Sequence, residues 1–157
     1  MTRRNGFTLL EMLIVLGMVA TLAVLAVPGF LQPMSRVEAT QAGSCLLELA
    51  SRLERHRLSA DDYAGFDIAR AGAACQKRLA ERYRFEAGVP GTPDWVGQTT
   101  DPIAWQLRVR PVKAGATMAD RPACRALVVR DDGRRGVMRD GAGEVVTDPV
   151  IIRRCWR

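Results

Sequence analysis

The sequence is poor in the residues that carry chemistry at neutral pH. It holds a single histidine, His56, in 157 residues. None of its four cysteines, Cys45, Cys75, Cys124 and Cys155, falls in a CxxC pair. Zinc sites draw their ligands from close pairs of such residues, so the usual zinc patterns are excluded. No Ser/His/Asp set is present. Gly141-Ala142-Gly143 reads as a turn, because it lacks the lysine and the helix context of a phosphate loop. The late acidic residues Asp131, Asp132, Asp140 and Asp148 are scattered, without the spacing of an EF-hand. A membrane-tethered enzyme therefore has no support. Lysine is also scarce, with only Lys77 and Lys113, so the formal charge of +6 is carried almost wholly by arginine. A basic surface attracts nucleic acid, anionic lipid or an acidic partner. No helix-turn-helix, zinc or RNA-binding pattern accompanies it here, and the preferred reading is an arginine-rich solvated surface.

The apolar residues, by contrast, are unevenly placed. A mean hydropathy of -0.04 suggests one ordinary soluble domain, yet nearly all of Phe7 to Leu31 is apolar and the remainder is distinctly polar. The run follows a short basic leader, Met1-Thr2-Arg3-Arg4-Asn5-Gly6. That is the general shape of an export signal, but Ala-Val-Pro-Gly at 26–29 makes a poor cleavage site. The run is long enough, at about 1.5 Å per residue, to cross a hydrocarbon core of about 30 Å. Arg3 and Arg4 set its N-terminal side in the cytoplasm and the rest of the chain outside. An even cysteine count suits an oxidising compartment. Three pairings are open, and the sequential one, Cys45–Cys75 with Cys124–Cys155, closes two local loops and is preferred.

Glu11 breaks the apolar run. A carboxylate within lipid costs at least a few kcal/mol, so it needs water, headgroups or a partner. With its neighbours it completes Gly6-Phe7-Thr8-Leu9-Leu10-Glu11, which resembles the processing motif of type IV prepilins and pseudopilins. The resemblance implies cleavage after Gly6 by a prepilin peptidase and methylation of Phe7 as the new N-terminus. It implies that Glu11 pairs with the N-terminal amine of a neighbouring subunit, and that Pro28 stands at the family's helix-bending proline. Gly17 is a helix-weakening residue upstream of it.

Beyond the run, Ser35 to Leu58 has a helical period, with Val37, Ala42, Cys45, Leu46, Leu49 and Leu53 as its apolar stripe. Glu38, Glu48, Arg52, Glu54 and Arg55 occupy other faces. The stripe is expected to pack on the head's own sheet. Pro33 predicts an irregular joint before it, and His56, beside Arg55 and Arg57, is expected to be solvated. Ser59 to about Lys77 reads as turns at Asp61, Asp62, Gly65 and Gly72, with a short helix leading to Tyr83.

Strand patterns follow. Tyr83 to Glu86 alternates, and Gly88 to Pro102 is a Gly/Pro-rich loop. In Ile103 to Val112, Trp105, Leu107 and Val109 fall on one side and Gln106, Arg108 and Arg110 on the other. Cys124 to Arg130 and Arg134 to Met138 flank Asp131-Asp132-Gly133, a hairpin signal. The expectation is an α+β fold, a long N-terminal helix on an antiparallel sheet of about four strands, and the resemblance implies that this is the type IV pilin fold.

The ending, from Asp120-Arg121-Pro122-Ala123-Cys124 to Cys155-Trp156-Arg157, resembles the PilE-like minor pilins, in which a paired cysteine closes a loop over the last strands. The usual aromatic pair after the long helix is replaced by His56-Arg57. The organisation expected is a leader at 1–6, a transmembrane and filament-core helix at 7–31, an amphipathic helix at 32–58 and a head at 59–157. The resemblance implies a minor pilin that helps initiate pilus assembly and enters the fibre, supporting twitching motility and adhesion. Its partners would be other pilin subunits, the peptidase, the inner-membrane assembly machinery and the membrane itself; it implies no cofactor. Before assembly it would sit in the inner membrane with its head periplasmic, and afterwards in the extracellular pilus. Two alternatives share the motif. One is a pseudopilin of a type II secretion system. The other is a DNA-binding pilin, with Arg153, Arg154, Trp156 and Arg157 as candidate contacts beside Arg134, Arg135 and Arg139.

Overall fold

The computed structural model describes residues 8–71, 74–112, 124–139 and 144–156, with backbone alone at 24–36. The expectations placed on Gly6, Phe7, Gly72, 120–123, 140–143 and Arg157 lie outside these residues, as does the side chain of Pro28.

Helix α1 spans Leu9–Ala60. Thr8 caps it, its Oγ1 accepting from the Glu11 backbone N–H at 3.3 Å. The backbone remains helical through Pro28 and Pro33, so the joint expected at Pro33 is absent. A proline removes one backbone donor, and long helical stretches of good helix formers on either side carry the chain through. The helix stops where Asp61 turns to a left-handed φ of 68°, a conformation that aspartate tolerates. Compact units divide the chain at 1–35 and 36–157.

Within the second unit, Ala39, Ala42, Cys45, Leu46, Leu49, Ala50 and Leu53 form the buried stripe of α1. Val37, expected in that stripe, is 53% exposed. It precedes Leu46 by nine residues, or two and a half turns, which sets it on the opposite face. Helix α2, Ala74–Leu79, follows a segment of turns. That segment is anchored by Tyr63, Phe66 and Ile68 in the core and by backbone bonds to residues 97–102.

Five strands, β1 Tyr83–Gly88, β2 Gln106–Pro111, β3 Ala126–Arg130, β4 Arg135–Met138 and β5 Val145–Val146, form an antiparallel meander in sequence order. The fifth is a two-residue strand beyond the four that alternation marks. Phe85 pairs with Val109, Leu107 with Val129 and Leu127 with Val137, and all six lie in one core with the α1 stripe. The period of two gives the sheet this apolar face and determines the other.

That other face differs from expectation. Gln106 and Arg108 are 2% and 7% exposed, although alternation assigns them to the side away from the core. The loop after β1 returns over them: Ala87 and Val96 exchange backbone bonds, and Trp95 joins a second cluster with Ala126, Val128 and Met138. Gly88 permits this return. A Cβ there would stand 2.7 Å from the Asp94 carbonyl oxygen and 3.3 Å from the Trp95 ring. Gly88→Ala is expected to lower stability by about 1–3 kcal/mol, through strain at a backbone atom that cannot turn aside. Denaturant unfolding checks it, and an unchanged midpoint would contradict the close approach.

After β5 the chain enters α3, Pro149–Cys155, a helix that periodicity does not reveal. Asp148 caps it, accepting from the Val150 and Ile151 N–H groups at 2.7 and 3.3 Å, and Pro149 opens it.

Candidate functional site

The site argument begins in the first unit. Around α1, Leu9, Leu10, Met12, Leu13, Ile14, Leu16, Met18 and Val19 are each half or more exposed, and Leu9 reaches 82%. Successive helical residues turn through about 100°, so the apolar surface runs round the whole circumference. An apolar helix without an internal core partner needs lipid or other helices around it. Glu11 is the sole charged residue between 8 and 23. It lies in the first turn, where an anion is favoured by the unpaired backbone N–H groups.

Residues 1–27 match the family model described as the prokaryotic N-terminal methylation motif. The chain carries a prepilin-type N-terminal signature. That signature supports a type IV pilin or pseudopilin in general, and so a family of structural subunits that are cleaved by a prepilin peptidase and assemble with one another. It goes with a precursor anchored in the membrane before assembly. The helix-and-sheet arrangement is consistent with the type IV pilin fold. Neither a curated protein nor a solved structure matches the chain. Among the described residues no helix is long and apolar enough to cross a membrane. The expected span at 7–31 includes Phe7 and the side chains of 24–31, which are outside them, and the stretch left is shorter than the roughly 20 residues a span needs.

In the second unit the cysteines are joined sequentially. Cys45–Cys75 links α1 to α2, and Cys124–Cys155 links the approach to β3 with the end of α3. His56, expected to be solvated, is half-buried. Its Nε2 lies 3.2 Å from the Ala64 carbonyl oxygen and its ring 5.5 Å from Phe66. The turn after α1 doubles back and brings both onto it.

The candidate nucleic-acid contacts are only partly brought together. Arg153 and Arg154 are exposed in the last turn of α3. Trp156 is half-buried: its indole N–H donates to the Gly136 carbonyl at 3.2 Å, and Arg135 lies 5.1 Å from its ring centroid. It also packs on the core beside Leu127. Trp156 thus serves the head's own packing, and a ring held this way makes a poor platform for a base. Arg134 pairs with Asp132.

The electrostatic centre of the head is Glu86, which accepts from Arg108 Nε at 2.7 Å and Arg110 Nε at 3.0 Å. Burial acts to raise its carboxyl, and the hydrogen bonds from Arg110 and Arg108 overcome this and hold it below the ordinary value. Burial in turn pulls the Arg108 guanidinium below its usual range, against the opposing effect of Glu86. Arg108 also lies 4.3 Å from the centroid of the Trp95 ring. Sequence reading did not single out Glu86 or Trp95. Glu86 faces Arg108 only through the β1–β2 register, and Trp95 reaches them from a loop with no periodicity.

Proposed function

We propose that the protein is a minor pilin, a non-enzymatic structural subunit of a type IV pilus that helps initiate assembly and is incorporated into the fibre. It supports twitching motility and surface adhesion. The observation that carries this reading is one carboxylate, Glu11, at the start of a helix apolar on every side, in a prepilin-type motif. After cleavage between Gly6 and Phe7 and methylation of Phe7, the new amine is a cation among apolar helices and needs a counter-charge. Glu11 of a neighbouring subunit supplies it. The segment 7–31 anchors the subunit in the inner membrane, with the N-terminus cytoplasmic and the head periplasmic, until the assembly machinery extracts it. Residues 32–58 continue the helix into the head at 59–157, and Pro28 allows the helix to adjust on packing. Loss of the leader removes Arg3 and Arg4 and lowers the formal charge by two from +6, which weakens the case for nucleic acid drawn from charge.

Glu11→Leu is expected to leave membrane insertion unchanged and to remove the subunit from the fibre. Pili sheared from cells and analysed by mass spectrometry read both incorporation and the methyl group on Phe7. Normal incorporation of the variant would sink the pairing. Recovery of the wild-type chain only with a secretion apparatus would favour the pseudopilin reading.

A further inference from the structure

Strand β1 is one edge of the sheet, and the direction of its main-chain groups follows from two observations. The Val112 N–H donates to the Arg82 carbonyl at 2.9 Å, so in this antiparallel pairing Arg82, Arg84 and Glu86 turn their main-chain groups toward β2. Ala87 instead exchanges both of its bonds with Val96, so Ala87 and Phe85 turn theirs outward from the edge. The segment that meets Ala87 does not continue along β1. Beyond Val96 it crosses to residues 66–68, where the Gly97 carbonyl accepts from Ile68 and the Thr99 N–H donates to Phe66. Gln98, between them, therefore turns its main-chain groups back toward β1, and Phe85 turns its own toward the departing segment. Neither pair of groups has a hydrogen-bond partner among the described residues. The two edges part as a fork, and a cavity of about 320 Å³ lined by Phe85, Gln98, Ala69 and Gln76 lies there. A second cavity of about 300 Å³ shares Ala69, Gln76 and Phe85 and prolongs the first along β1, beside α2.

A groove along an unpaired strand edge suits another strand. A main chain offers N–H and C=O groups at a period of two residues, the spacing at which Ala87 and Phe85 present theirs. Val96 already fills the first of these places, antiparallel to β1, and leaves the next one open. The opposite wall is small at Ala69 and Ala80, which leaves room for the side chains of an added strand. Charge then selects among strands. Lys77 and Arg84 line the second cavity, are exposed, and form no ion pair among the described residues. Asp67, in the first cavity, is already engaged by the Ala69 and Arg70 N–H groups and by the Arg70 guanidinium. We infer that the groove binds an extended peptide segment bearing a carboxylate side chain. The segment adds to β1 beyond Val96, bonds with Phe85 through its main chain, and sets its carboxylate against Lys77 and Arg84. The inference concerns the head alone and stands whether or not the subunit enters a pilus.

The test uses the full chain in detergent and blocked five-residue peptides that alternate valine and threonine around a central glutamate or a central lysine. The glutamate peptide is expected to bind saturably and more tightly than the lysine one. Lys77→Glu, a change at an exposed position, is expected to weaken the glutamate peptide about threefold to fivefold, the range of an exposed ion pair, and to narrow its advantage over the lysine peptide. Main-chain pairing is read separately. Two N-methylated forms of the glutamate peptide are compared, one methylated at its second and fourth residues and one at its first, third and fifth. Only one set of N–H groups faces β1, so one form is expected to lose about tenfold or more in affinity and the other to keep it. Amide hydrogen exchange supplies the third reading. In the free chain the Phe85 N–H is expected to exchange faster than those of Arg84 and Glu86, which bond to β2, and to slow on addition of the peptide. Absence of saturable binding, equal binding of the glutamate and lysine peptides, equal effects of the two methylated forms, or a Phe85 amide that the peptide does not slow would each overturn the inference.

Discussion

Replacing Cys124 and Cys155 together by alanine is expected to lower the unfolding free energy by about 3–4 kcal/mol. The bond joins residues 31 apart in sequence, and most of its effect falls on the unfolded chain, whose loop it closes. The folded state also depends on it. Helix α3 has seven residues, far fewer than an isolated helix needs to persist in water. Its hold on the sheet rests on Cys155, the packing of Ile151 and Trp156, and the Trp156 bond to Gly136. Denaturant unfolding of the double variant measures the loss, and removing both cysteines avoids a stray thiol. A change below about 1 kcal/mol would mean that α3 is held by its side-chain packing alone and that the unfolded chain is already compact.

The second large effect is expected at Glu86. Its side chain is 12% exposed and Arg108's is 8%. Glu86→Leu would leave the Arg108 guanidinium buried without its carboxylate, which typically costs about 3–5 kcal/mol. Glu86→Gln keeps an acceptor and loses the charge, so a smaller loss is expected. The two variants also separate by pH. The Glu86 carboxyl lies below its ordinary value of 4.5 in the folded state, so the unfolded chain takes up its proton first. Its contribution is complete above about pH 4.5, and it is lost as pH falls through the folded value. Wild-type stability should therefore fall more steeply on acidification below pH 4.5 than that of Glu86→Gln. Unfolding curves from neutral pH into that range give both slopes, and equal slopes would remove Glu86 from the acid response.

The features legible in the sequence are those written in neighbouring residues. The N-terminal motif, the stripe from Ala42 to Leu53, the alternation at 83–86 and 103–112 and the Asp131-Asp132-Gly133 hairpin are all local. The sheet follows from them because a meander pairs consecutive strands. What sequence reading missed depends on distant residues. Gln106 and Arg108 look solvated in a single strand and become buried because a loop some ten residues earlier closes over them. Pro33 predicts a break from its own chemistry, while the helix is sustained by what flanks it. Helix α3 did carry a local mark, Asp148 before Pro149, but its seven residues are too few to show a period.

The two disulfides join the cysteines in the order in which they occur, first with second and third with fourth. A chain that reaches an oxidising compartment in sequence order can therefore close each bond as soon as its second thiol arrives. On such a route the first pair can close before Cys124 is present to compete. A sequential connectivity is thus one that oxidation in order of arrival gives directly, whereas crossed or nested bonds would require the first thiol to wait for a later one.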